Sequence, residues 1–303
     1  MHGWGHWGCA ALAGWVGILA VCGVVRADDP TWQVGTAPTF STGTYGTDTR
    51  TNIVYVPATV RRLFENGDVT LVAPFLCISG NGSVTNLGGI PIRKEQSGNS
   101  GSSSTTSSSS GSGSSSSSGG SGRGRGSDDL SPGTGALPGT VTTCGVGDLV
   151  LRGRYYVLDE HDWMPTVAIR GHVKIPTADA DRGLGTGRFD EGVGVELTKT
   201  LRPGWMALLD GGYTFIGNPS GVDFNNQWWY DIGLGHDVTK AMNLSVFYEE
   251  YRSIVPGLPN PRDLLVSLSI KGEQGWRYQV SPLVGLSSGA PDFALTVGVS
   301  RRF

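Results

Sequence analysis

Strict alternation of apolar and polar side chains near the C-terminal end constrains this chain more than any other feature. Phe293, Leu295, Val297, Val299 and Phe303 share one face of an extended segment, and Ala294, Thr296, Gly298, Ser300 and Arg302 share the other, with Arg301 as the exception. Leu264, Val266, Leu268 and Ile270 oppose Leu265, Ser267 and Ser269 in the same way, and Val167, Ile169, Val173 and Ile175 oppose Ala168, Arg170, His172 and Lys174. A period of two cannot be an amphipathic helix, so the chain is all-β. The 48 glycines among 303 residues, without a Gly-X-Y period, agree with many tight turns and closely approaching strands.

Twelve such segments follow one another. They run over Trp32 to Ser41, Thr51 to Arg62, Val69 to Ser79, Asp148 to Leu158, Trp163 to Ile175, Gly192 to Leu201, Trp205 to Ile216, Gln227 to Asp237, Met242 to Ser253, Asp263 to Lys271, Trp276 to Ser287 and Asp292 to Phe303. Pro57 and Pro74 interrupt the second and third, where a bulge or weakened pairing is expected.

The N-terminal stretch is organised differently. Cys9 to Val25 is the longest apolar run and leads through Arg26-Ala27 into Asp28-Asp29, which reads as a secretory signal peptide over residues 1–27. A membrane-spanning helix is the other reading of about 17 apolar residues, but no basic stop-transfer cluster follows. The remainder, 28–303, then forms one domain. Within it, Ser97 to Gly122 contains only Ser, Gly, Thr and Asn and cannot supply a core, so residues from about 80 to 145 are expected to be a disordered low-complexity loop. Cys77 and Cys144 flank that loop in an oxidising compartment, either as a disulfide or as two buried free thiols.

Alternation fits a soluble β-sandwich as well as a membrane barrel. Other features favour a transmembrane antiparallel up-and-down barrel of about twelve strands. Short connections (Glu65 to Asp68, Arg202 to Gly204, Gly272 to Gly275) alternate with long ones (Pro176 to Glu191, Gly217 to Asn226), the rhythm of short periplasmic turns and long external loops. Trp32, Trp163, Trp205 and Trp276 each sit at the start of an upward segment, one level suited to a membrane–water boundary. Phe303 resembles the terminal aromatic by which barrel-assembly machinery recognises its clients. The implied location is the bacterial outer membrane, with lipid as the outer partner.

With apolar faces turned to lipid, Arg152, Arg154, Arg170, His172 and Lys174 enter the interior from two neighbouring strands, and Asp210, Asp231 and Glu249 enter from later ones. Charges at membrane depth must meet water or each other, so the interior is either a polar channel with a transverse field or an ion-paired plug. A net charge of −3 leaves no basic surface for nucleic acid. Gly185-Thr186-Gly187 and Gly145 to Asp148 lack the Lys-Ser/Thr ending of a phosphate loop, and Asp179, Asp181, Asp190 and Glu191 lack a calcium-loop spacing. His161, His172 and His236 lack the surroundings of a catalytic triad. Neither catalysis, a metal nor a cofactor is expected.

Gly145-Val146-Gly147-Asp148-Leu149 leading into Arg154-Tyr155-Tyr156, Val173-Lys174-Ile175-Pro176-Thr177, and Gly183-Leu184-Gly185-Thr186-Gly187 resemble stretches of the outer-membrane proteins grouped as the MetA pathway of phenol degradation family. Trp205, Gly212-Tyr213 and Phe303 are similar too. The resemblance covers Gly145 to Phe303 and, more weakly, Trp32 to Ser79, while the Ser-rich insertion departs from it. It implies a porin-like, transporter-like barrel passing a small solute passively, with an aromatic or hydrophobic compound as the class suggested by the family name. The alternative is a non-conducting structural or adhesive barrel that displays the Ser-rich loop.

Overall fold

The computed structural model describes residues 31–80, 84–87, 90–93 and 141–303, so the signal-peptide reading of 1–27 and the low-complexity stretch 97–122 lie outside the described residues. Every regular element within them is a strand. The wall starts with β1 (Trp32–Thr36) and β2 (Thr39–Gly43), one stave broken at Ala37-Pro38, followed by β3 (Thr51–Phe64) and β4 (Gly67–Gly80). A small hairpin, β5 (Val84–Leu87) with β6 (Ile90–Arg93), stands apart. The next stave is β7 (Val141–Val146) plus β8 (Leu149–Leu158), broken at Gly147-Asp148. Then come β9 (Thr166–Ile175), β10 (Asp190–Arg202), β11 (Trp205–Phe215), β12 (Gln227–Asp237), β13 (Met242–Tyr251), β14 (Arg262–Lys271), β15 (Trp276–Gly285) and β16 (Phe293–Arg302).

Each stave pairs antiparallel with its neighbours in sequence, and β16 returns to pair with both β1 and β2. Fourteen strands thus close into a barrel, and because two staves are split, the barrel has twelve. Closure follows from the solvent: in hydrocarbon an unpaired backbone amide has no partner, and only a sheet without edges pairs all of them.

Polarity is inverted relative to a water-soluble core. Ile169 is 53% exposed and Val297 52% exposed on the outside, whereas Asp190 and Thr214, pointing inward, are 0% exposed. That is the apolar-out, polar-in alternation of an outer-membrane barrel. Turn chemistry is local: Pro203-Gly204 joins β10 to β11 with Gly204 at φ 77°, and Gln274-Gly275 precedes β15 with Gly275 at φ 81°.

Three details differ from the sequence reading. Regular structure reaches into the stretch assigned to the long loop, since β7 pairs with β4 from Val141 onward and β5 and β6 form their hairpin there. Trp163 lies in the turn before β9 rather than opening the strand. Pro57 and Pro74 face each other across β3 and β4 without a register shift, and the breaks fall instead in the flanking staves. Ala37-Pro38 lies beside Pro57 and Gly147 beside Pro74, where Gly147 N donates to Pro74 O at 2.8 Å. A proline has no N–H to offer a neighbouring strand, so the neighbour kinks at that level and finds other partners.

Candidate functional site: the barrel interior

Arg152, Arg154, Arg170, His172 and Lys174 all lie on the inward face of β8 and β9, with Arg152 opposite His172 and Arg154 opposite Arg170. On the other side, direct cross-strand register places five carboxylates in one row over five consecutive strands. Glu196 is opposite Asp210, Asp210 opposite Asp231, Asp231 opposite Glu249, and Glu249 opposite Asp263.

These two walls meet. Arg154 donates to Asp68 at 2.8 Å and to Glu196 at 3.3 Å, with Arg61 reaching the same Asp68 oxygen at 2.6 Å. Arg170 pairs with Asp210 and lies 5.3 Å over the Trp229 ring. Lys174, 1% exposed, sits 2.7 Å from Asp190 and 3.4 Å from Asp148 and donates to Thr186 at 2.8 Å. Of the two arrangements open to the sequence, these contacts have the character of the ion-paired one. Asp231, Glu249 and Asp263 complete the acidic row with no ion pair within 4 Å among the described residues, and Tyr251 Oη donates to Glu249 at 3.4 Å.

Asp68, Glu196, Asp148, Asp190 and Asp263 are therefore as much part of the interior as the eight residues singled out from sequence. Alternation could have found Asp263, which occupies an inward position near the start of its strand, whereas Asp68 falls where the sequence reads as a turn.

Toward the end with the long loops, apolar clusters stand beside the Lys174 group. Tyr45, Ile53, Tyr55, Leu76, Ile78, Val84 and Leu184 form one buried cluster. Leu184 belongs to the loop 176–189 between β9 and β10, which folds into the barrel mouth. A second cluster, Ile216, Phe224, Ile254 and Val255, packs the β11–β12 and β13–β14 loops together at the same end. Cys77 and Cys144 are directly opposed in β4 and β7 and form a disulfide.

At the short-turn end, aromatic rings alternate with guanidinium groups. Arg62 lies 4.9 Å over Trp32, Arg202 lies 4.9 Å over Trp205, and Arg301 lies 5.4 Å over Trp276 and 4.9 Å over Phe303. Trp163, 82% exposed, is in the turn between β8 and β9. Burial alone would push the Glu160 carboxyl in that turn up, but hydrogen bonds from Lys199 and Thr200 outweigh it and hold the group below the ordinary carboxylate range.

A family model described as "Putative MetA-pathway of phenol degradation" matches residues 96–302. No curated protein sequence matches at a significant level. Among solved structures, the COG4313 outer membrane channel from Pseudomonas putida F1 is similar, at TM-score 0.60 and 12% identity over 93% of this chain and 100% of that one. Two others overlap more loosely: the KdgM porin (TM-score 0.46, 8% identity, 89% of this chain and 99% of that one) and the P. putida toluene transporter TodX (TM-score 0.39, 9% identity, 92% and 91%). With the family model spanning most of the described barrel and the fold and its inverted polarity in agreement, the chain belongs to the family of the MetA pathway of phenol degradation, as an outer-membrane β-barrel.

Proposed function

We propose that the barrel is a channel through which a small solute, aromatic or otherwise hydrophobic, crosses the outer membrane passively. The observation that carries this reading is that, beside the ion-paired Arg154, Arg170 and Lys174, the interior keeps Arg152 on one wall and Asp231, Glu249 and Asp263 on the other with no ion pair within 4 Å among the described residues. Charges in that position are costly to keep and in membrane proteins mark solute paths. The family description supports the class of solute.

In this account no residue reacts. The solute partitions past the external loops, the guanidinium group of Arg152 favours any anionic substituent, and Asp231 and Glu249 set the opposing field. The aromatic set Trp32, Trp163, Trp205, Trp276 and Phe303 seats the short-turn end in the lipid headgroup region. Residues 28–303 act as a single domain once 1–27 are removed on export.

Planar-bilayer recording tests the reading. Arg152→Gln, which removes an inward cation with no ion-pair partner within 4 Å among the described residues, is expected to move the reversal potential in a salt gradient toward cations. An unmoved potential in a conducting barrel removes Arg152 from the path. A non-conducting barrel whose surface binding depends on the Ser-rich loop would instead support the display role, which the disulfide-anchored position of that insertion also suits.

A further inference from the structure

The apolar cluster at the long-loop end stands beside the interior ion pairs, and two of its members, Tyr45 and Leu184, come from loops. Leu184, 2% exposed, reaches into a socket made by Tyr45, Ile53, Tyr55, Leu76 and Ile78. Room for it exists because Gly145 has no side chain: a Cβ there would stand 2.6 Å from Leu184 Cδ1. Gly183 at φ 76° and Gly187 at φ 68° flank the leucine, so the segment carrying it is built from residues that bend easily. Its ties to the wall are polar ones: Leu149 N to Thr177 Oγ1 at 2.9 Å, Thr177 Oγ1 to Gly147 O at 3.1 Å, Lys174 to Thr186 at 2.8 Å, Ala178 N to Asp148 at 2.9 Å and Arg182 to Cys144 O at 3.1 Å. A cavity of about 30 Å³, lined in part by Ile78, Val84, Arg182 and Gly183, remains beside the socket.

Building on the channel reading above, we infer that the Leu184 socket is a binding site for a small uncharged hydrophobic molecule of about the size of a benzene ring, and that Leu184 is its built-in competitor. The isobutyl group of Leu184 and such a molecule would bury against the same side chains, so they exclude one another. A ligand that fits only when Leu184 is withdrawn shifts the loop toward the withdrawn state in proportion to its affinity for that state alone. Loop 176–189 then leaves the mouth when solute is present and refills it when solute is gone. The rings of Tyr45 and Tyr55 give the socket an aromatic lining, and Tyr45 Oη donates to Ser41 Oγ at 2.9 Å.

The test uses the full-length barrel in detergent with fluorobenzene as probe, followed by ¹⁹F NMR titration. Leu184→Ala is expected to bind fluorobenzene roughly ten-fold or more tighter than wild type, because the competitor is gone and an apolar cavity stays dry. Ile254→Ala, which empties a comparable site in the second cluster, is expected to show no such gain. Equal gains in both variants, or none in Leu184→Ala, overturn the proposal. Should Leu184→Ala fail to give a heat-modifiable barrel, Leu184→Val is expected to show a smaller gain of the same sign, and no gain there is equally decisive. The channel reading fails separately: a barrel that binds fluorobenzene in the Leu184→Ala form but never conducts keeps the site and loses the channel, whereas a conducting barrel without the gain loses the site alone.

Discussion

Arg154 Nη2 lies 2.8 Å from Asp68 Oδ2 although 86 residues separate the two in sequence, and the same guanidinium also reaches Glu196. All three side chains are nearly sealed from solvent, at 5%, 8% and 2% exposure. Removing the guanidinium leaves Glu196 buried without a partner and Asp68 with Arg61 alone. Arg154→Met is therefore expected to destabilise the barrel by about 3–5 kcal/mol, read from urea unfolding in liposomes. Adding Glu196→Gln, with Asp68 kept for Arg61, is expected to recover part of the loss, and a double variant no better than the single one would falsify the assignment.

The Cys77–Cys144 cross-link closes a loop with a sequence separation of 67. In the chain-entropy description such a link stabilises by at most about 4 kcal/mol, so reduction lowers the unfolding midpoint without abolishing the barrel. Cys77→Ser frees Cys144, at the long-loop end of the wall. A membrane-impermeant maleimide applied to intact cells is expected to label it, and labelling only after lysis would reverse the barrel's orientation.

Gly275 and Gly221 both have positive φ, 81° and 82°, but a Cβ at Gly275 would sit 2.4 Å from Arg302 O, while nothing lies within 4 Å at Gly221. Gly221→Ala should cost only the backbone term, about 1–2 kcal/mol. Gly275→Ala should cost more by the amount of the collision, and equal midpoints for the two variants would remove that distinction.

Val297 offers the sharpest test of what surrounds the wall. In water, a residue 52% exposed tolerates a charge within about 0.5 kcal/mol. Facing acyl chains, Val297→Arg is expected to cost about 2–4 kcal/mol when unfolding is measured from bilayers.

Acid should loosen the β8–β9 turn slightly. The folded-state pKa of Glu160 is depressed, so its contribution is present above the ordinary carboxylate value and is lost as pH falls through the depressed one. Glu160→Gln is expected to lower stability at pH 7 by about 1 kcal/mol or less, since the pair with Lys199 lies at the surface and stays partly exposed, and the gap to wild type should close in acid. A gap that widens in acid contradicts the sign.

The wall was legible because alternation is a local property: β16 and β9 carry it residue by residue, and ten or so residues suffice to see it. It blurs in β3 and β4, where Ile53 and Leu76 point inward to an apolar socket while Val54 and Phe75 point outward, so both faces are apolar. The interior charges on β8 and β9 were readable for the same reason as the wall. Their partners were not, because Asp68 reads locally as the end of a turn and becomes a ligand of Arg154 only when β4 and β8 are laid side by side. Leu184 was hidden more deeply. Its neighbourhood, Gly183-Leu184-Gly185-Thr186-Gly187, reads as turn chemistry, and nothing in it announces that Gly145 on another strand leaves a vacancy for the leucine.

The seam where β4 meets β7 brings the Cα atoms of Cys77 and Cys144 to 4.1 Å and bonds the side chains. Everything threaded between those two points is thereby relieved of any duty to hold its own ends together, and the entropic penalty for lengthening such a segment grows only with the logarithm of its size. Evolution can thus rewrite, stretch or shrink that stretch freely, and a laboratory can graft a foreign epitope there, while the staves beneath keep their register.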